Sequence, residues 1–418
     1  MIEAILPNRW KSMKLRELAD KCTAKNRDFA HALVLTNSAQ RGIIPQTEHF
    51  GKDIAVDESI DGYYIVNNGE FVYNPRISAT APCGPIRRNH LGKTGVMSPL
   101  YTVFKLKSDN VDDKYVEYFF LSSAWYRYMK SIANYGARHD RMSITDGGFF
   151  AMPLPLPPLP EQHAIAEILT TADKLIAVKE RLIAAKQKQR RWLMQNLLTG
   201  KIRLLGFSRK WERVRLGEVC KVMSSMPLSR ADLSDTGHCY LHYGDIHKME
   251  RFSVDVQSYL NKKRAYVVNP KDEVLLLDGD IVFVYASEDY NGVCKYVVVK
   301  NTDNIPFISG LHTIHLRSTD SRIDNLFKEF CFQNSVVRKQ MSIRSTGMKV
   351  YGLNKTEILK LQIPLPPLPE QHAISEILTI ADREIELLTR ELEQQKLVKK
   401  YLMQQLLTGK IRVKGVAV

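Results

Sequence analysis

Pro155 to Arg203 reads PLPPLPEQHAIAEILT…LMQNLLTGKIR, and Pro364 to Arg412 reads PLPPLPEQHAISEILT…LMQQLLTGKIR. The two stretches align without a gap and agree at 29 of 49 positions. An internal repeat sets the architecture before any single element is assigned. Its lead-in recurs as well, with Trp10 and Leu15-x-Glu17 ahead of the first copy and Trp211 and Leu216-x-Glu218 ahead of the second. The chain is therefore a globular region followed by a helical segment, twice over.

Each copy opens on stacked prolines, which predict an extended polyproline stretch without ladder hydrogen bonds. A helix is expected next, with Pro160 and Pro369 at its first position and Glu161 and Glu370 facing the positive end of its dipole. Neither Pro nor Gly interrupts it until Gly200 and Gly409, which sit where a glycine ends a helix. About 38 residues at 1.5 Å each make a rod of about 57 Å. Ile165, Leu169, Ala172, Ile176, Ile183, Leu193 and Leu197 keep a 3/4 spacing in the first copy. Ile374, Leu378, Ala381, Ile385, Leu388, Leu392, Leu402 and Leu406 keep it in the second, broken only by Gln395 and Lys399, so the two helices should pack on each other.

Charge argues their polarity. In a parallel register the basic run from Lys186 to Arg191 would face Lys399 and Lys400, and Arg181 would face Arg390. An antiparallel register brings Lys186 to Glu384 and Lys179 to Glu391. Exposed pairs of this kind are each worth only about 0.2–1 kcal/mol, enough to select an orientation.

The globular regions mix strand-like runs with one amphipathic helix each. Tyr63 to Val66, Val274 to Leu277, Ile281 to Tyr285 and Tyr296 to Val299 read as strands, Val111 to Ala133 and Ile323 to Ile343 as helices. The aromatic stripes Tyr115, Phe119, Tyr126 and Phe327, Phe330 read as core.

With 44% hydrophobic residues and only 22 Gly and 18 Pro in 418, the chain is neither disordered nor collagen-like. Six scattered cysteines without a C-x-x-C pair indicate a reducing cytoplasm, and no apolar run suits a leader or a membrane span. A net charge of +15 favours a polyanionic partner, with nucleic acid foremost.

Several chemistries are missing. Gly92-Lys93-Thr94 imitates the end of a phosphate loop, but Arg87 stands where the first glycine is required. No dinucleotide glycine motif occurs, and Asn74-Pro75-Arg76 falls short of the tetrapeptide with which adenine methyltransferases hold a base. Asp278, Asp280, Glu288 and Lys295 could be bent into a Mg-dependent nuclease, although two acids around a glycine more often make a strand-entry turn. His238, Cys239, His242 and His247 form the one ligand-type cluster, and on a strand His238 and Cys239 point to opposite faces, which argues against zinc. Polar or DNA-facing histidines are the better reading, and His242 is kept as a DNA-contact candidate.

Basic residues interleaved with aromatics and turn formers recur in both halves. In the first half they are Arg76, Arg87, Arg88, Lys93 and a loop containing Asn134, Tyr135, Arg138, His139 and Arg141. In the second they are Arg230, Lys262, Lys263, Arg264 and a loop containing Arg344, Ser345, Lys349 and Tyr351. Such loops can bring Arg and Asn forks to base edges and Lys to phosphates. Off the helical seam, Leu175, Leu182, Trp192 and Tyr401 leave apolar surface for a partner.

The doubled P-L-P-P-L-P-E-Q-H segment, the L-L-T-G-K-I-R ending, the run Thr94 to Tyr101 and the run Gly310 to Thr313 resemble the DNA specificity subunit of Type I restriction-modification systems. The resemblance implies an α+β fold in which two mixed target-recognition domains are joined by two long antiparallel, coiled-coil-like helices, a pseudo-twofold internal repeat. It places recognition domains at 1–153 and 204–362, conserved spacer segments at 154–203 and 363–412, and a tail at 413–418. It implies a non-catalytic subunit that reads a split DNA site, one half per domain. Two modification subunits would carry S-adenosylmethionine, and restriction subunits would use ATP and Mg2+. The alternatives from the residues alone are a stand-alone Mg-dependent endonuclease and a non-enzymatic coiled-coil scaffold.

Overall fold

The computed structural model describes residues 6–50, 60–107, 109–134, 140–228, 233–234, 237–260, 264–265, 274–287, 294–345 and 351–413. The chain divides into two compact units, Met1–Glu180 with Arg390–Val418, and Arg181–Thr389. Two 39-residue helices, Leu159–Leu197 and Leu368–Leu406, each run from one unit into the other. At 1.5 Å per residue each is about 58 Å long.

The prolines do not isolate the helices from the globular regions. Pro153–Leu156 pairs antiparallel with Lys11–Lys14, and Gln362–Leu365 with Glu212–Arg215. The expectation of an extended stretch without ladder bonds is corrected here. Leucine and isoleucine alternate with proline, so in a two-stranded ribbon the residues that retain an N–H can face the partner strand. Pro160 and Pro369 are the second helical residue rather than the first. Gly200 and Gly409 take φ of +68° and +71°, where any Cβ would be strained, and their N–H groups bond the Leu197 and Leu406 carbonyls.

Each unit has its own antiparallel helix pair. In the first, Lys179 pairs with Glu391, Lys396 with Glu180 at 3.2 Å, and Lys399 with Asp173. In the second, Lys186 meets Glu384 at 2.7 Å and Arg190 meets Asp382. The two pairs expected from charge are thus present. The seam positions are buried or half-buried, and Ile165, Leu169, Leu406 and Leu407 enter one unit's core as Leu197, Leu198, Ile374 and Leu378 enter the other's.

A duplicated clasp closes each unit. Glu370 is fully buried and accepts both guanidinium bonds of Arg203, at 2.6 and 2.7 Å, and the Trp211 indole N–H at 2.9 Å. Glu161 does the same for Arg412, at 2.6 and 2.7 Å, and Trp10, at 3.2 Å. The neighbouring glutamines tie the helix starts to the globular regions. Gln162 accepts from the Asp112 N–H and donates to the Asn110 and Pro157 carbonyls, and Gln371 accepts from Asp324 and donates to Arg322 and Pro366. The E-Q pair and the closing arginine are therefore identical in both copies for a structural reason.

The sheets repeat the same order. In the first unit Ala19–Lys21, Thr102–Leu106, Phe71–Tyr73 and Ile86–Arg88 lie side by side. In the second Cys220–Met223, Thr313–Ser318, Ile281–Val284 and Tyr296–Lys300 do so, extended by Ser253–Asp255. Val274 to Leu277 is not a strand. Only Leu275 makes an isolated bridge, while side chains of Arg317 and Asn301 take the Leu275 and Leu276 carbonyls.

Both amphipathic helices are broken in two. Asp113–Leu121 is followed by Tyr126–Ile132, and Asn325–Cys331 by Ser335–Arg344. The second break has a clear cause. Buried Asn334 caps the next helix through the Val336 N–H and donates to the Leu198 carbonyl at the end of the first long helix. An uninterrupted helix would lose both bonds. Tyr115, Phe119, Phe327 and Phe330 are buried as expected.

Candidate nucleic-acid interface

In the first unit, bridges Arg76↔Arg141 and Asn134↔Ser143 bring three candidate residues to the base of one loop. Arg76 and Asn134 are exposed. Arg141 is partly covered, its Nε 3.7 Å from Asp140. Tyr135, Arg138 and His139, at the centre of that loop, lie outside the described residues. Lys93 is exposed on a separate turn.

Arg87 and Arg88 are corrected to packing roles. Arg87 donates to the Ala39 carbonyl at 2.7 Å, and burial lowers its pKa. Arg88 donates to the Gly69 carbonyl at 2.9 Å, pairs with Asp113 and lies 5.7 Å from the centre of the Phe71 ring. Neither guanidinium can reach a phosphate without breaking these bonds.

In the second unit, Arg344 pairs with Glu357 at 2.8 Å and the Ser345 hydroxyl donates to the Met341 carbonyl at 2.7 Å. Both close the helix that leads into residues 346–350, which with Lys349 lie outside the described residues, as do Arg230, Lys262 and Lys263. Tyr351 pairs with Ser287, and Arg264 belongs to a short strand paired with Ser234 and Cys239. His242 is corrected too. It is buried, and its Nδ1 accepts from the Gly244 N–H at 3.0 Å, so it caps Tyr243–Lys248 instead of facing a ligand. His238–Leu241 forms the expected strand, but His242 lies just beyond it.

The acidic group proposed as a nuclease centre is structural where it is described. The Asp280 carboxylate accepts from His315 Nε2 at 2.7 Å, from Arg317 Nε and Nη2, and from the Leu277 N–H. Asp278 accepts from the Asn301 N–H and the Asn325 amide, and Lys295 donates to the His247 carbonyl. Glu288 lies outside the described residues, and among those described no cluster of His, Cys, Asp and Glu suits a metal.

Burial by itself would raise the Asp280 pKa. The hydrogen bonds from His315 and Arg317 outweigh it, and the carboxyl is held below the usual range. The stabilisation is complete above the ordinary Asp value of about 3.9 and is lost as pH falls through the depressed folded value. Urea midpoints should therefore fall more steeply between pH 5 and pH 2.5 in the native chain than in Asp280→Asn. Parallel slopes would mean that Asp280 gains nothing from its partners.

Sequence reasoning passed over one recess. A cavity of about 290 Å³ in the second unit is lined by Ser225, Tyr285, Leu311, His312, Asn354 and Lys355 among others. Its only sequence signal is the G-L-H-T run. On the long helices, Leu175 (55% exposed), Leu182 (41%), Trp192 (51%) and Tyr401 (52%) stand in solvent. Among the described residues no helix is long and apolar enough to cross a membrane.

Residues 7–186 and 208–396 each match the family model described as the Type I restriction modification DNA specificity domain. The chain is similar to the Type I restriction enzyme MjaVIII specificity subunit of Methanocaldococcus jannaschii, 28% identical over 87% of this chain and 89% of that one. A putative Type I restriction enzyme MjaX specificity subunit of the same organism is 28% identical over 68% and 66%. Among solved structures, the HsdS subunit from Thermoanaerobacter tengcongensis matches with a TM-score of 0.56 at 17% identity, over 98% of this chain and 100% of that one. A chain from a study of complex assembly and conformational transition of the type I R-M system matches with 0.61 at 16%, over 97% and 99%. These two structures share the fold.

Proposed function

The chain belongs to the Type I restriction-modification DNA specificity family, and we propose that each of its two units reads one half of a split DNA site for catalytic subunits carried on other chains. The observation that carries this reading is the duplication itself. Two units with one clasp, one strand order and one helix pair bear different loops and basic residues at equivalent places. Identical scaffolds with different surfaces are what two readers of two unlike half-sites need.

The partners in this reading are double-stranded DNA, two modification subunits and restriction subunits. The exposed Leu175, Leu182, Trp192 and Tyr401 are the surface on which a partner subunit rests. S-adenosylmethionine, ATP and Mg2+ belong to those partners, and the chain itself carries out no bond-breaking step. The reducing interior of the cell is where it works, in keeping with six unpaired cysteines. In the first unit Arg76, Asn134 and Arg141 face DNA.

An exchange tests the reading. Replacing residues 220–353 with the matching region of a relative keeps Trp211, the ribbon at Gln362–Leu365 and the Glu370 clasp in place. Methylation mapping should then show one half-site changed completely and the other retained. A change in both half-sites would refute independent reading.

A further inference from the structure

One turn of the first unit holds an exposed aromatic ring on a strained backbone, and we infer that this residue, Phe29, reads a thymine methyl group in the half-site of that unit. The inference rests on the reading of the chain as a two-headed DNA reader and names a base contact within it. Phe29 adopts φ +51°, in the left-handed region where glycine sits without strain and a bulky side chain does not. It is also 59% exposed, so packing does little to offset the strain. A strained position kept for a side chain that the core does not use points to a function for that side chain.

One buried amide holds the turn. Asn26 donates to the His31 carbonyl at 2.8 Å and accepts from the His31 N–H at 3.0 Å, so it spans the turn from inside. The Phe29 N–H donates to the Asn26 carbonyl at 3.1 Å, and the Asn26 N–H to the Tyr63 carbonyl at 3.0 Å. The ring is thereby presented in one place before any ligand arrives, which spares the cost of ordering it on binding. Lys25 and Arg27, on either side of Asn26, are exposed and make no ion pair among the described residues, against the single acid Asp28. Cations beside an apolar ring suit a base edge flanked by phosphates.

Backbone pairing brings this turn to the end of the unit that carries Arg76 and Arg141. Tyr63 leads into Tyr64, which pairs with Met97. A turn closed by the Tyr101 N–H on the Ser98 carbonyl joins Met97 to Thr102, and Thr102 pairs with Tyr73, three residues before Arg76. Arg76 in turn bridges Arg141. The ring therefore stands at the same end as the cations already assigned to DNA. A wedge driven between base pairs needs both faces of its ring free, whereas Phe29 keeps part of its surface against the protein. Contact with a methyl at a base edge needs only the exposed part, and thymine alone offers one in the major groove.

The test uses the full chain assembled with its modification subunits, and measures binding at fixed salt to duplexes carrying both mapped half-sites. Each thymine of the first unit's half-site, the one retained when residues 220–353 are exchanged, is replaced in turn by uracil, which lacks the methyl. At one position this should weaken the native complex by roughly 3- to 10-fold. Phe29→Gly removes the ring and relieves the left-handed strain. It should bind the thymine duplex more weakly by the same factor, lose nothing more on the uracil duplex, and leave the other half-site read as before. The uracil arm needs no variant, so it decides the matter even where a substitution disturbs the turn. A native complex indifferent to uracil at every position, or a first half-site without thymine, overturns the inference. So does a Phe29→Gly complex that binds as the native one does, or one that releases its modification subunits on a sizing column, since the ring would then rest on protein. In each of these cases the two-headed reading stands as long as the native complex still selects two half-sites. A native complex without any sequence preference defeats both.

Discussion

Glu370→Ala should lower the unfolding free energy of the full chain by about 2–4 kcal/mol, while Glu370→Gln should cost clearly less. Alanine strips two groups of their acceptor at once, the Arg203 guanidinium and the Trp211 indole N–H. The carboxylate is wholly enclosed, but the Arg203 side chain retains 28% of its surface and can turn toward water, so the upper end of the range for a broken buried pair is not reached. Glutamine keeps one acceptor oxygen for the Trp211 N–H and the Arg203 Nη2, but it loses the charge and sets an amide NH2 where the Arg203 Nε–H needs an acceptor. Arg203 also lies 5.4 Å from the centre of the Trp211 ring, and the three groups act together, so Arg203→Ala combined with Glu370→Ala should cost less than the two singles summed. Urea midpoints of the four chains check this. Strict additivity would mean the three residues are neighbours without coupling. Glu161, Arg412 and Trp10 should give the same pattern.

This clasp also shows what the sequence makes legible. The repeat, the long helices, their glycine ends and their antiparallel pairing are all readable because they depend on local spacing and on charge at fixed intervals. Lys179–Glu391 and Lys186–Glu384 were derivable from residue numbers alone. The clasp was visible only as identity between the copies, since nothing local says that a tryptophan 151 residues before a glutamate will donate to it. The same limit explains the misjudged arginines. Arg87 and Arg88 look like any basic pair, and their donors are taken up by the turn carbonyls of Ala39 and Gly69 and by Asp113, none of them a sequence neighbour. His242 was misread because a cap depends on where a strand stops, and the strand stops one residue before it. Helix breaks at Ser122–Trp125 and Phe332–Asn334 were hidden for a related reason. Apolar periodicity continues across each break because both short helices pack on the same core. In the recognition surfaces, composition pointed to the loops, whose central residues carry no local signal of where they lie.

If the long helices set the distance between half-sites, lengthening both should lengthen the unread spacer. The observed ion pairs decide where an insertion must go. Lys179–Glu391, Glu180–Lys396 and Asp173–Lys399 lie on one side, Lys186–Glu384 and Arg190–Asp382 on the other. One heptad after Ile183 and another after Glu386 fall between these groups at matched positions, so every pair keeps its partner. The second site also leaves Glu386 beside Arg251. Seven residues add about 10.5 Å, and 700° of helical turn leaves the following segment only about 20° from its original facing, so the 3/4 seam stays in phase. At a rise of 3.4 Å that length is about three base pairs. Methylation mapping of the double insertion should report the two original half-sites with a spacer about three base pairs longer. A single insertion in either helix shifts one side of the seam against the other and breaks the ion pairs, so it should abolish assembly instead of moving the half-sites. An active double insertion that keeps the parent spacer would show that the distance is set by contacts outside the two helices.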